Sequence, residues 1–587
     1  MIGQLFSALA FTGAVVSAAP TLTARNCNSS STNSSSSALP IVDLGYAIHQ
    51  ATINDTGNYY NFSNIRYGAA PVGDLRFKAS IPPTTINRTL NDGQQGSVCA
   101  QAAPYWPQVA SYFLGGADAA TLAYVNSQVD AVTSALTIDS LAAPDPRQSE
   151  DCLFLDVIVP ESIYTSNKSA PVLVWVYGGG YVYGDKTSTG SPATLIAQSQ
   201  VDEGEGIVYV AMNYRLGLFG WLSGSTFSEQ DGVPNAALYD QRLAFEWVQQ
   251  NIHLFGGDPT RVTVMGESAG AGSIMHQITA YGGSNGSAPF SQAIMQSPGF
   301  SPVPGDAQQV ATYKSVISQA QSLISADVTD VASLRALDFE TLAGLNSIVV
   351  ARSAPYGTFT FGPAVDGTFV PKLPGVLLSE GKFDTEINVM VSHNSDEGLQ
   401  FTSPFLTTEA AVASNLKEVF PTANNETISY ILDTLYPTVY DGTYPYTSLF
   451  GRASLITAEI SFTCNTRFLD VAFQNETYAY YFTVPPGLHG GDIAYTFFNG
   501  DTTTLNNGLA VQPAIAIAMQ KYITNFAMSP TGNPNGRGVP YFPQYQSNST
   551  TMVIGLEGIG DVTVDTTANE RCAWLMEGLY VNNVLSN

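Results

Sequence analysis

Runs of apolar, largely β-branched residues recur along the chain without the polar–apolar alternation of a half-exposed strand. They occupy 171–177 (PVLVWVY), 206–211 (GIVYVA), 261–265 (RVTVM) and 387–391 (INVMV). Strands of this kind are buried on both faces, as in a mostly parallel sheet covered by helices. Between them the period changes. In 238–248 (LYDQRLAFEWV), Leu238, Leu243, Trp247 and Val248 approximate one helical face, and 269–278 is also compatible with a helix. Strand and helix alternate, so an α/β fold is expected.

The first twenty residues carry no charged side chain. An apolar stretch at 5–16 runs into Val16-Ser17-Ala18, a small-residue cleavage site. Residues 1–18 therefore read as a signal peptide, which implies secretion. Residues 19–39 include NCNSSSTNSSSS at 26–37 and read as a flexible Ser/Asn-rich linker. No later stretch interrupts the pattern in this way, so 40–587 is expected to be one domain. No second run reaches the ~18 apolar residues of a membrane-spanning helix. The C-terminal Val584-Leu585-Ser586-Asn587 carries neither a lipid-anchor tail nor an ER-retention signal. In a secreted protein the N-x-[S/T] sites at Asn28, Asn33, Asn54, Asn61, Asn87, Asn167, Asn285, Asn425, Asn475 and Asn548 are candidates for glycosylation.

Composition narrows the function. The chain has 587 residues, with Lys+Arg 22 against Asp+Glu 48 and a formal net charge of −26. Only 12% of residues are charged and 44% are hydrophobic, the reverse of a disordered chain. So few basic residues argue against nucleic acid as a partner, because phosphate contact needs clustered Lys and Arg. The same scarcity argues against anionic membrane surfaces. The 5 cysteines fit no zinc spacing, and no metal is expected. In an oxidising compartment they suggest two disulfides with Cys27, in the linker, left over. The sequence alone leaves the pairing of Cys99, Cys152, Cys464 and Cys572 open.

Gly266-Glu267-Ser268-Ala269-Gly270 matches the G-x-S-x-G turn that presents a nucleophilic serine. A second match, Gly282-Gly283-Ser284-Asn285-Gly286, lies in a Gly/Ser/Asn loop. Ser268 instead follows the strand at 261–265 and precedes the helix at 269–278. That strand–turn–helix context is what lifts a hydroxyl above a sheet. Stabilising a developing oxyanion needs backbone N–H donors. Ala269 would supply one, and Gly178-Gly179-Gly180, directly after the strand at 171–177, would supply the others. No Lys-[Ser/Thr] follows these glycines and the G-x-G-x-x-G spacing is absent, so no nucleotide cofactor is expected.

A general base must come from His49, His253, His276, His393 or His489. The order Ser…Asp/Glu…His removes the first two. His276 lies two turns beyond Ser268 on the same helix, facing away from the turn. His393 and His489 remain, and His489 sits in Pro485-Pro486-Gly487-Leu488-His489-Gly490-Gly491-Asp492, a loop that no core packing requires. The acid is Asp396 or Glu397, in Asn394-Ser395-Asp396-Glu397-Gly398; spacing does not choose between neighbours.

These motifs together resemble the type-B carboxylesterases, the family of fungal lipases and esterases, liver carboxylesterases and cholinesterases. The likeness starts at 70–77 (APVGDLRF) and continues through Ser149-Glu150-Asp151-Cys152-Leu153 and 175–184. It then runs through Asn213-Tyr214-Arg215-Leu216-Gly217 and 251–272 (NIHLFGGDPTRVTVMGESAGAG). The resemblance implies an α/β-hydrolase fold and a Ser268–His489–Glu397 triad, choosing Glu397 over Asp396, with an oxyanion hole at Gly179, Gly180 and Ala269. It also implies disulfides Cys99–Cys152, closing a lid-like loop, and Cys464–Cys572. Ala142-Ala143-Pro144 stand where cholinesterases hold choline with an aromatic ring, which argues against that branch.

The expected substrate is a small-molecule or lipid ester. The lid residues Tyr105, Trp106, Tyr112, Phe113 and Leu114 leave several readings open. These are a general carboxylesterase, a lipase docking on lipid, and a natural-product ester hydrolase or acyl transferase. More remote is a non-catalytic adhesion protein, against which the complete triad argues.

Overall fold

The computed structural model describes residues 39–580 other than 167 and 203. The expected signal peptide, all but the last residue of the linker, Cys27, Asn28, Asn33 and Asn167 lie outside the described residues.

The runs of β-branched residues form the middle of an eleven-stranded sheet. In chain order its strands are β1 (Thr52–Asn54), β2 (Tyr59–Arg66), β3 (Phe154–Pro160), β4 (Ala170–Val176), β5 (Val208–Met212) and β6 (Gly257–Glu267). After these come β7 (Gln292–Gln296), β8 (Asn388–Asn394), β9 (Tyr478–Phe482), β10 (Thr550–Gly555) and β11 (Gly558–Val564). Their spatial order is β11-β10-β9-β8-β7-β6-β4-β5-β3-β2-β1. From β10 to β5 every neighbouring pair is parallel, and the strands at both ends are antiparallel. Val174 pairs with Val210 on one side and Val264 on the other, and all three are fully buried. Such a strand needs apolar side chains on both faces, which is why these segments do not alternate.

Seven of the helices concern the core and the site: α1 (Trp106–Leu114), α2 (Ala119–Ala135), α3 (Ala236–Asn251), α4 (Ala269–Ile278), α5 (Cys464–Ala472), α6 (Pro513–Met528) and α7 (Glu570–Met576). The 238–248 pattern is α3, but its buried face is wider than the apolar stripe. It takes in Asp240 and Gln241 and leaves Leu243 half-buried. The reason is an ion pair. Arg215, just after β5, meets Asp240 with Nη2–Oδ1 2.7 Å and Nε–Oδ2 2.8 Å, and the side chains are 3% and 0% exposed.

Both disulfides are present, Cys99–Cys152 and Cys464–Cys572. The first closes the loop that carries α1 and α2. The second ties α5 to α7 across 108 residues, a closure that in the chain-entropy picture stabilises by roughly 4–5 kcal/mol. Of the described candidate glycosylation sites, Asn54, Asn87, Asn285, Asn425 and Asn548 are exposed, whereas Asn61 and Asn475 are half-buried. Among the described residues no helix is long and apolar enough to cross a membrane.

A buried charge stripped of its partner is costly, whereas an exposed pair contributes little. Asp240→Asn is therefore expected to destabilise the fold by about 3–5 kcal/mol in denaturant melts. The same change at Asp145, whose Arg147 partner is exposed, is expected to cost under about 1 kcal/mol.

Candidate active site

In parallel strands all carboxyl ends lie on one edge, and the loops leaving that edge can converge. Four of them do so here: those after β4, β6, β8 and β9 carry the Gly178–180 segment, Ser268, Glu397 and His489. The convergence is built from the turn at Ser268, which has φ +56° and ψ −124°, a region a non-glycine residue enters only under constraint. Three backbone hydrogen bonds supply that constraint. Ser268 N–H donates to Gln296 O at 3.0 Å, and Ser268 O accepts from Gly272 and Gly299 at 2.9 Å each. The motif glycines are needed for close approach. A Cβ on Gly270 would lie 2.1 Å from the carbonyl oxygen of Val176 in β4.

Ser268 Oγ lies 2.7 Å from His489 Nε2, and His489 Nδ1 is hydrogen-bonded to Glu397 Oε2. With Nδ1–H donating to the carboxylate, Nε2 is left to accept the serine proton. The other Glu397 oxygen accepts from Ser297 Oγ at 2.5 Å and from Asn394 N–H at 2.6 Å. Glu397 is buried, whereas Asp396 is exposed and accepts from Ser395 Oγ. The neighbouring carboxylates that spacing left equivalent are thus separated by direction: one faces the imidazole and the other faces water. Phe462 and Phe401 pack on the His489 ring at centroid distances of 4.2 and 5.2 Å, limiting its motion and its access to water.

The loop after β4 comes against the serine turn. Gly179 has φ +100°, and a Cβ on Gly178 would lie 2.8 Å from the Glu267 carbonyl oxygen and 3.0 Å from Ser268 Cβ. Among the described residues, the N–H groups of Gly179, Gly180 and Ala269 have no hydrogen-bond acceptor, so they remain available to an anionic oxygen. Phe359 packs on Gly180, and its ring continues into Trp106, Phe401 and Tyr356. Trp106, on the disulfide-closed loop, is tied down by its indole N–H donating to Thr358 O at 2.7 Å.

The other candidates lie elsewhere. Ser284 is an exposed loop residue whose hydroxyl donates to Tyr281 O. His276 is buried against Phe300 with Nδ1 2.8 Å from Gly272 O, and burial lowers its pKa to about 4. His393 is buried one strand-end away from His489, its Nε2 3.6 Å from Asp565 Oδ1.

One site residue was hidden inside the motif. Glu267 Oε1 lies 3.4 Å from His489 Nε2, is buried and has no hydrogen-bond partner. An acidic residue two positions beyond the buried 261–265 run was the sequence signal. Burial, reinforced by Asp492 and Glu397 and opposed by His489, lifts Glu267 to about 8. Burial opposes a charge on His489, but Glu397 and then Glu267 outweigh it and hold the imidazole above its ordinary value. Burial likewise opposes the Glu397 charge, yet His489, Ser297 and the Asn394 N–H keep it below the usual carboxylate value.

Known proteins agree with this architecture. The carboxylesterase family model matches residues 48–573. Carboxylesterase patB of Penicillium expansum is 39% identical over 549 residues, covering 91% of this chain and 95% of that protein. Secreted lipase 1 of Botryotinia fuckeliana is 30% identical over 521 residues, covering 84% and 85%. The crystal structure of Aspergillus niger EstA superposes with a TM-score of 0.73 at 25% identity, covering 92% of this chain and 98% of that one. The chain belongs to the carboxylesterase family and is a carboxylic ester hydrolase.

Proposed function

We propose that the protein is a secreted serine esterase that works through an acyl-enzyme on Ser268. Its catalytic domain spans 40–587, behind a leader at 1–18 and a linker at 19–39. The observation that carries this reading is the continuous Glu397–His489–Ser268 relay beside the free N–H groups of Gly179, Gly180 and Ala269. Ser268 attacks the ester carbonyl as His489 takes its proton, and Glu397 stabilises the imidazolium. The three N–H groups hold the oxyanion. His489 then protonates the departing alcohol and activates the water that releases the acid. Relatives named as secreted lipases support the extracellular assignment.

A second reading, action at a lipid interface, draws on one feature. Tyr112, Leu114 and Tyr124 are exposed on α1 and α2 of the disulfide-closed loop. Equal turnover of soluble short-chain esters below and above their solubility limit is expected of the esterase. A rise confined to emulsified long-chain triglyceride identifies the lipase.

Ser268→Ala is expected to lower turnover of p-nitrophenyl acetate by on the order of 10⁵–10⁶ and to abolish fluorophosphonate labelling. Glu397→Gln is expected to cost about 10⁴ in kcat. Wild-type turnover by Ser268→Ala rejects the reading.

The base must be neutral to accept a proton, and its pKa is raised, so activity is lost as pH falls through that raised value. The acidic limb of kcat/KM is therefore expected above pH 6.5, the ordinary imidazole value. Glu267→Gln removes one of the two carboxylates that favour the imidazolium, and is expected to move the limb to lower pH. An unmoved limb contradicts the assigned role of Glu267.

A further inference from the structure

The second histidine that the sequence offered as a base is not idle core. His393 is the penultimate residue of β8, 5% exposed. Its Nε2 is 3.6 Å from Asp565 Oδ1, and its Nδ1 is 3.2 Å from the carbonyl oxygen of Asn394. Asn394 is the residue through which both partners of the relay are held. Its N–H donates to Glu397 Oε1 at 2.6 Å, and its side-chain amide donates to Leu488 O at 2.8 Å, one residue before His489. A single residue thus has the acid on one side, the base loop on another and His393 on its carbonyl.

The surroundings favour a charged ring. Asp565, directly after β11, accepts at Oδ2 from Tyr545 and Thr567 hydroxyls at 2.6 Å each and at Oδ1 from Thr567 N–H at 2.8 Å. A carboxylate so solvated keeps its charge without water. The Tyr481 ring of β9 covers the imidazole at 5.0 Å. Glu397 acts on it from the segment just beyond β8, whereas the exposed Asp396 is turned to water. Beyond Asp565, α5 brings Arg467, whose Nη1 donates to Tyr545 Oη at 2.7 Å, and the buried Asp470. Burial by itself would strip the His393 proton. Asp565, then the Asn394 carbonyl and Glu397, reverse this and raise its pKa above the ordinary imidazole value. Burial and Asp565 raise Asp470 well above its ordinary value.

We propose that His393, as an imidazolium paired with Asp565, is a positioning residue for the Glu397–His489 couple. Nδ1–H donates to the Asn394 carbonyl while the ring charge is paired with Asp565 across 3.6 Å, fixing the backbone that orients Glu397 and the His489 loop. Its positive charge also opposes a proton on His489, extending activity toward lower pH. This inference rests on the serine-esterase reading above.

The test is a double-mutant cycle of His393→Gln with Glu397→Gln, read by kcat, KM and the pH profile on p-nitrophenyl acetate, with Ser268→Ala as control. His393→Gln is expected to lower kcat by about tenfold to a hundredfold with KM little changed, the scale of a misaligned catalytic group. The acidic limb is expected to move to higher pH. In the Glu397→Gln background the effect on kcat is expected to shrink below about twofold, because His393 acts through Glu397. A purely structural role lowers kcat equally in both backgrounds and leaves the limb in place; that result, or wild-type kcat and limb in folded His393→Gln, overturns the proposal. If His393→Gln does not fold, Asp565→Asn undergoes the same cycle, with the same loss of kcat and the same shrinkage expected; additivity there overturns it. Turnover by Ser268→Ala would instead reject the underlying esterase reading.

Discussion

A serine hydroxyl stands above a buried sheet only if the backbone beneath it turns more sharply than an ordinary residue allows. At Ser268 that turn lies at φ +56°, and the rest of the site is arranged around keeping it there. The carbonyl of Gln296 in β7 and the N–H of Gly299 just beyond β7 hold one side of the turn, and the first bond of α4 holds the other. Gly270 lets the helix start against β4, so close to Val176 O that no side chain fits. The same closeness brings the Gly178–180 loop beside Ser268. The proposed attack and oxyanion positions therefore come from a single packing event.

Charge is the second constraint. The site buries His489 between Glu397 on Nδ1 and Glu267 near Nε2, where an unpaired charge would be costly. Glu397 is held by donors that belong to strand ends: Ser297 after β7, and Asn394 at the end of β8. Behind them His393 and Asp565 repeat the histidine–acid arrangement one layer deeper. Two such pairs on adjacent strand ends make the site's protonation a property of the whole group of residues rather than of one imidazole.

Much of this was legible in the sequence because it is local. The two-sided strands at 171–177, 261–265 and 387–391, the helix after Ser268 and the glycine loop are each specified by residues adjacent in the chain. The proposed base also stood out, since a loop histidine flanked by glycines has little structural purpose. What stayed hidden depends on pairing between distant segments. Only the parallel bridge between Asp396 and Leu488, with Asp396 N–H donating to Gly487 O, turns Asp396 outward and Glu397 inward. Glu267 was inconspicuous as the variable residue of a motif. His393 and Asp565 lie far apart in sequence, and nothing local marks them as partners. The wider buried face of α3 was hidden for the same reason: Asp240 is inside because Arg215 is there to meet it.

Catalysis through an ester bond to Ser268 is the claim on which the mechanism stands, and trapping that bond tests it most directly. Protein mixed with p-nitrophenyl acetate and acid-quenched within milliseconds would be digested, and its peptides mapped by mass. A mass increase of about 42 Da, one acetyl group, is expected on the peptide containing Ser268, together with a stoichiometric burst of p-nitrophenol. An acetyl group found on Ser284 or another residue with the burst intact would contradict it.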